Sequence, residues 1–418
     1  MRHVASATAR PDVAVIGGGI IGTATAYELA RSGCTVRLFE SGAIAGLQSG
    51  RNWGFVRQQG RSRAELPLMR DANLRWQRLE EKLAVPVGWV RGGNLALAGS
   101  AAGAEAYREW VALGRSHGID TRMVDAETVE TIVPKLRLPF VAAIYAKDDG
   151  HADPRRATAA FADAARHDGT VISTSTPVAS LTWSGSRVTG LVTADGAVVS
   201  AGVTICAAGA ASRRLLGPLG LGLPQATVRG TVAMTGPVRP VTRATVWADG
   251  LSFRQRADGR LVVSTGGGGE VDLTWDALRQ SRWFLPSFRR NYRRLRPRVG
   301  VSLFTGRPTT LRPTPARVRR SIARLHEALP DLGAVEVEHA WAGLIDSTPD
   351  ALPIIDAPVA WPGLVVATGF SGHGFGLAPA VGATVAALAR AEPPPHDVHP
   401  FRIARFAEGD FCPPDAVL

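Results

Sequence analysis

Cysteine and lysine are scarce in this 418-residue chain, and neither scarcity is neutral. The three cysteines, Cys34, Cys206 and Cys412, are odd in number and form no CxxC pair. A disulfide framework and a cysteine-based metal site are therefore not expected, and the two that sit in apolar, strand-like runs read as buried reduced thiols. Lysine occurs only at Lys82, Lys135 and Lys147, so the formal net charge of +12 is carried almost wholly by arginine. The arginines are scattered, apart from the run "RRNYRRLRPR" (Arg289 to Arg298), whose spacing reads as a solvated helical face or, alternatively, a docking patch. No nucleic-acid partner is expected from so dispersed a charge. No apolar run approaches the ~20 residues that span a bilayer. The N-terminal "MRHVASATAR" lacks the apolar core of a secretory signal, which leaves a cytoplasmic address as the default.

What is present is a chain that is 45% hydrophobic, enough for two or three connected domains. Val13 to Ile16 reads as a short strand, "GGGIIGTATAYELARSG" as a turn into a helix, and "TVRLFE" as a second strand, which together make a βαβ unit. Residues 64 to 83 follow as an amphipathic helix with Leu68, Ala72, Trp76, Leu79 and Leu83 on its buried face. "DPRRATAAFADAARHDG" carries an Asp153 cap and Pro154 at the first helical position. Three Asp-Gly pairs, at Asp195, Asp249 and Asp258, mark hairpins, so the middle of the chain supplies an antiparallel sheet. A last helix is expected from about Leu377 to Ala391, with Pro379 in its first turn, before an irregular tail.

Gly17, Gly19 and Gly22 form a GxGxxG between strand and helix, and Glu40 ends the next strand 18 residues beyond Gly22. In that setting the first glycine permits the tight turn, the second lets a pyrophosphate touch backbone, and the third lets helix pack on strand. Glu40 is placed to accept hydrogen bonds from a ribose diol. This pattern does not distinguish NAD from FAD.

The distinction comes from the other end of the chain, where "GLVVATGFSGHGFGLAPAVGATVAALAR" reads as strand, glycine-rich turn and helix. Taken with "WAGLIDSTPDALPII" and the N-terminal βαβ unit, it resembles the D-amino-acid oxidase family of FAD-dependent oxidoreductases over nearly the whole chain. Within that family the motifs look most like subunits that oxidise opines, hydroxyproline or sarcosine, and like D-amino-acid dehydrogenases. The resemblance implies an α/β fold: a Rossmann-like FAD-binding domain of the glutathione-reductase type (11–83, 151–224 and 346–391) interleaved with an antiparallel-sheet substrate domain (84–150 and 225–345). Residues 1–10 and 392–418 would be tails. It also implies oxidation of the C–N bond of an amino acid or a secondary or cyclic amine by hydride transfer to flavin. The isoalloxazine would lie against Gly372, Gly374, Phe375 and Gly376, whose N–H groups at a helix start suit the charge that gathers on a reduced flavin. His373 would hold the flavin edge or the substrate, or simply brace the turn.

By position, Arg57 in "SGRNWGFVRQQG" corresponds to the family's carboxylate-binding arginine, with Arg51 in reserve. The alternative for either is an arginine bonded to loop carbonyls or packed on Trp53. Departures from the pattern also count. Ile345 stands where glycine and D-amino-acid oxidases carry an arginine, and Gly376 where monomeric sarcosine oxidases carry a lysine. No cysteine lies in "HAWAGLIDS", so the FAD is expected to be non-covalent. Asp346, Thr348 and Asp350 read as a capped turn. Oxygen or a quinone-like molecule is the expected acceptor, and a partner subunit is an alternative requirement for activity.

Overall fold

The computed structural model describes residues 10–291, 295–300 and 311–412. Of the arginine-rich run, residues 292–294 lie outside the described residues. A six-stranded sheet holds the N-terminal unit, in the order Ile354–Asp356, Leu364–Thr368, Val203–Cys206, Val13–Ile16, Val36–Phe39, Val171–Ser173. Val13–Ile16 pairs in parallel with both of its neighbours. Both faces of this strand are covered, which is why it reads as an unbroken apolar run. Val13 and Val15 point to one core, shared with the helices Ile20–Arg31, Leu66–Gln77, Pro154–His167 and Gly374–Ala389. Ala14 and Ile16 point to another, shared with the antiparallel strands Val178–Ser184, Arg187–Thr193 and Val198–Ser200.

The second large sheet has ten strands, among them Asn94–Ala98, Thr121–Val124, Ala142–Ala146, Ala226–Pro237, Thr245–Ala248, Leu251–Gln255, Arg260–Ser264 and Val337–Ser347. Its longest ladder is antiparallel, from Ala226 opposite Ser347 to Thr235 opposite Val337. The Asp-Gly pairs sit at hairpin tips, with Gly196, Gly250 and Gly259 all at positive φ. Only the latter two belong to this sheet; the first closes a hairpin of the three-stranded one.

Three local readings change. The helix expected over 64–83 is broken at Arg78 into Leu66–Gln77 and Leu79–Leu83, although all five expected core residues are buried. The last helix starts earlier, at Gly374, and Pro379 lies inside it, where proline leaves the carbonyl four residues back without its usual donor. The C-terminal segment is mostly irregular but anchored. Arg405, 1% exposed, forms a bidentate pair with Asp350, and Phe401, Ile403 and Phe406 are buried beside it. Among the described residues, no helix is long and apolar enough to cross a membrane.

Candidate active site

One continuous cavity joins the two glycine clusters. It runs from Gly17–Ile21 past Glu40 and Gly46–Ser49 to Phe370–Phe375, and the large sheet walls it with Trp247, Leu344 and Ile345. At its first end Gly17 adopts φ +115°, and a Cβ there would stand 2.4 Å from the Ala207 carbonyl oxygen. Gly22 lies behind the cavity: its Cβ would meet the Gly17 carbonyl oxygen at 2.0 Å, so its absence lets the helix seat on the strand. Gly19 caps the helix without a side-chain bond, and no acidic residue occupies the first turn. Ser49 Oγ accepts the Ile20 N–H at 2.8 Å, and the absence of a carboxylate leaves the positive end of the helix without a countercharge. Glu40 accepts from the N–H groups of Gly18 and Gly42, both at 2.7 Å. A carboxylate has about four acceptor positions, so capacity remains on the cavity side. A glycine cradle, a helix N-terminus without a countercharge and a carboxylate on the cavity wall fit a dinucleotide.

At the other end, the turn before Gly374–Ala389 is built on Ser371 and Gly372, both at positive φ. Its N–H groups are fixed by the Asp346 carbonyl to Ser371 and the Phe370 carbonyl to His373. Gly372, His373, Gly374 and Phe375 line the cavity. Gly376 does not; its carbonyl accepts the Trp76 indole N–H at 2.9 Å, and a Cβ there would touch Met69. Asp346 accepts from Gln48, Gln225 and the Gly369 N–H, while Thr348 caps Leu352 and Asp350 holds Arg405. Asp346 and, through Ser371 Oγ, Thr348 brace the glycine turn, while Asp350 anchors the C-terminal segment.

Beyond this turn lie four ionisable side chains. Arg57 stacks on Trp247, its guanidinium carbon 4.6 Å from the ring centroid, and donates to the Gln59 carbonyl at 2.8 Å. Arg61 is 4% exposed; its Nε donates to the Arg57 carbonyl, and its Nη1 is buried without a partner. Burial holds both guanidinium groups below their usual range, and burial plus the like charge of Arg57 brings Arg61 to about 9. Glu65, 1% exposed, meets His373 Nδ1 at 2.8 Å. Burial alone would raise the carboxyl, but His373 and Arg61 outweigh it and keep Glu65 below its usual range. Burial, with Arg61 next, pushes His373 down. An ionised carboxylate can only accept, so opposite an ionised Glu65 the Nδ1 of His373 is the donor of this bond.

Arg51 takes the alternative role. Its guanidinium bonds the carbonyls of Gly46 and Ala342, and its own carbonyl accepts the Trp341 indole N–H, strapping the loop to the strand Val337–Ser347. Arg61, Glu65 and Trp247 are the site residues that sequence reasoning missed. Arg57, Arg61 and Glu65 do recur every four residues, but the segment passes from strand through loop to a 3-10 turn at Arg63–Glu65. Helical periodicity gave no reason to put them on one face.

Known proteins resemble the chain along most of its length. Glycine oxidase of Geobacillus kaustophilus is 25% identical over 413 residues, covering 95% of this chain and 98% of that protein. Sarcosine oxidase subunit beta of Rhodobacter capsulatus is 26% identical over 412 residues, covering 96% and 90%. The structure of L-amino acid deaminase from Proteus myxofaciens superposes with a TM-score of 0.90 at 24% identity, over 97% of this chain and 96% of that one, and so shares the fold. The family model described as DAO, FAD dependent oxidoreductase, matches residues 12–388, and the chain belongs to that family.

Proposed function

We propose that the protein oxidises the C–N bond of an amino acid whose carboxylate is held by Arg57 and Arg61. The observation that carries this reading is the buried, partnerless Nη1 of Arg61 beside the half-buried guanidinium of Arg57 in the same cavity. An unmet donor on a buried cation is costly, and a planar carboxylate satisfies two such forks at once. FAD, when bound, supplies the hydride acceptor. Gly17, Gly19, Ile20 and Glu40 would hold its nucleotide half, and Gly372, Gly374 and Phe375 its ring. With the carboxylate clamped between the arginines, the α-carbon is aimed toward the glycine turn, and Trp53, Phe55, Trp247 and Phe375 form apolar parts of the wall. None of the three cysteines lines this cavity, which supports non-covalent FAD.

Relatives named glycine oxidase and sarcosine oxidase support amine oxidation, and the name "subunit beta" supports a partner subunit as a further requirement. Anaerobic mixing of the yellow holoenzyme with a panel of amino acids, N-alkylated and cyclic ones included, tests the reading. Amino acids should bleach the flavin, and Arg61→Met should lower the efficiency by about 2 to 5 kcal/mol of transition-state stabilisation. Equal bleaching by amines that lack a carboxylate would remove the assignment.

A further inference from the structure

His373 and Glu65 form a buried dyad where the segment carrying Arg57 and Arg61 meets the helix Gly374–Ala389, and the Glu65 carboxylate faces both the imidazole and the Arg61 charge. A fully buried glutamate is rarely retained without a partner that uses it. Its 2.8 Å bond to Nδ1 orients the imidazole so that Nε2 is the free nitrogen. Among the described residues Nε2 has no hydrogen-bond partner, and His373 lines the cavity with Arg57 and Arg61.

Free amino acids arrive with an ammonium nitrogen, which has no lone pair to drive hydride loss. We propose that the His373–Glu65 pair is the base that takes a proton from the ammonium group of the substrate. The inference rests on the amino-acid reading above. In the step, one substrate N–H bond breaks and leaves its electron pair on nitrogen, while a new N–H bond forms at His373 Nε2. The imidazolium is stabilised by the Glu65 carboxylate. The lone pair so freed is what formation of the C=N bond would use, with FAD, when bound, supplying the acceptor for the α-hydrogen and its electron pair. The proton returns to solvent when the imine departs.

The charged groups around the ring act in both directions: Glu65 favours a proton on the imidazole, whereas Arg61 and Arg57, from the segment before the helix Leu66–Gln77, oppose it. Asp346, on the strand behind the turn, is engaged by Gln48, Gln225 and Gly369.

Glu65→Gln keeps a hydrogen-bonding group but removes the charge, and His373→Gln removes the base. Anaerobic stopped-flow reduction of each holoenzyme, followed against pH, should show a loss of about tenfold or more at neutral pH. The loss should shrink as pH rises past the amine's own pKa, because substrate then arrives already neutral. The substrate's dissociation constant should change little. Histidine-labelled NMR of the wild-type holoenzyme should find His373 neutral with its proton on Nδ1. A deficit of the same size at every pH, or a proton on Nε2, would overturn the proposal. Wild-type flavin that no amino acid reduces would instead defeat the amino-acid reading, so the two failures are separable.

Discussion

Arg57 is constrained from three directions: a ring beneath it, a carbonyl on one nitrogen and a second guanidinium alongside. Stacking on Trp247 and a bidentate grip on a carboxylate both need a planar fork, which an ammonium does not have. Arg57→Lys should therefore retain FAD yet lose at least about tenfold in kcat/KM on amino acids, with Trp247→Leu giving a smaller loss in the same direction. Steady-state kinetics on both variants checks this, and parity of the lysine variant with wild type would mean that Arg61 alone anchors the substrate. Arg57 could be singled out as a candidate because it stands in a motif that resembles a family's. Arg61 was not, because its importance lies in a missing partner, a property that exists only after the chain has folded around it.

At the level of elements, the segment that presents both arginines hangs on one carboxylate. Asp149, fully buried between the strands Ala142–Ala146 and Gly150–His151, accepts from the Gln58 N–H and side-chain amide and from the Gln59 N–H. Gln59 in turn bonds Asn94 and Thr121 of the large sheet. Burial pushes the Asp149 carboxyl up to about 6 despite these donors. A carboxyl raised in the folded state binds its proton more tightly there than in the unfolded chain. Its contribution therefore favours folding most below pH 4 and falls as pH rises through about 6, by roughly 3 kcal/mol. Asp149→Asn cannot ionise, so its stability relative to wild type should improve between pH 4 and pH 7 in denaturant titrations. A difference that does not vary with pH would place the proton elsewhere.

For the whole molecule, the distribution of positive charge bears on how the reduced enzyme is reoxidised. The three lysines are on the surface, where Lys82 pairs with Glu28, Lys135 with Asp331 and Lys147 with Asp120. The cations that reach the cavity are arginines, and Arg57 and Arg61 are occupied by substrate in the proposed complex. With no lysine in the cavity lining among the described residues to stabilise superoxide as it forms, reduced enzyme should pass electrons to a quinone-like dye faster than to oxygen. Stopped-flow reoxidation decides it, and rapid recovery of the yellow colour in air with stoichiometric hydrogen peroxide would make the protein an oxidase.

The sequence by itself determined whatever depends on neighbours along the chain. The glycine turn at Gly17–Gly22, the apolar strands, the Asp153 helix cap and the Asp-Gly hairpins are local, since each follows from the torsions, hydrogen bonds or alternating faces of a few adjacent residues. Helix limits near Arg78 and Gly374 were less legible because packing, not propensity, sets them: Trp76 reaches across to the Gly376 carbonyl and ties the two helices at that point. Only the tertiary structure decided which arginine straps a loop and which keeps an unmet donor, or that Glu65 faces His373. Those roles depend on burial and on unmet hydrogen bonds between segments some 300 positions apart, and long-range contacts of this kind leave no periodic trace in the chain.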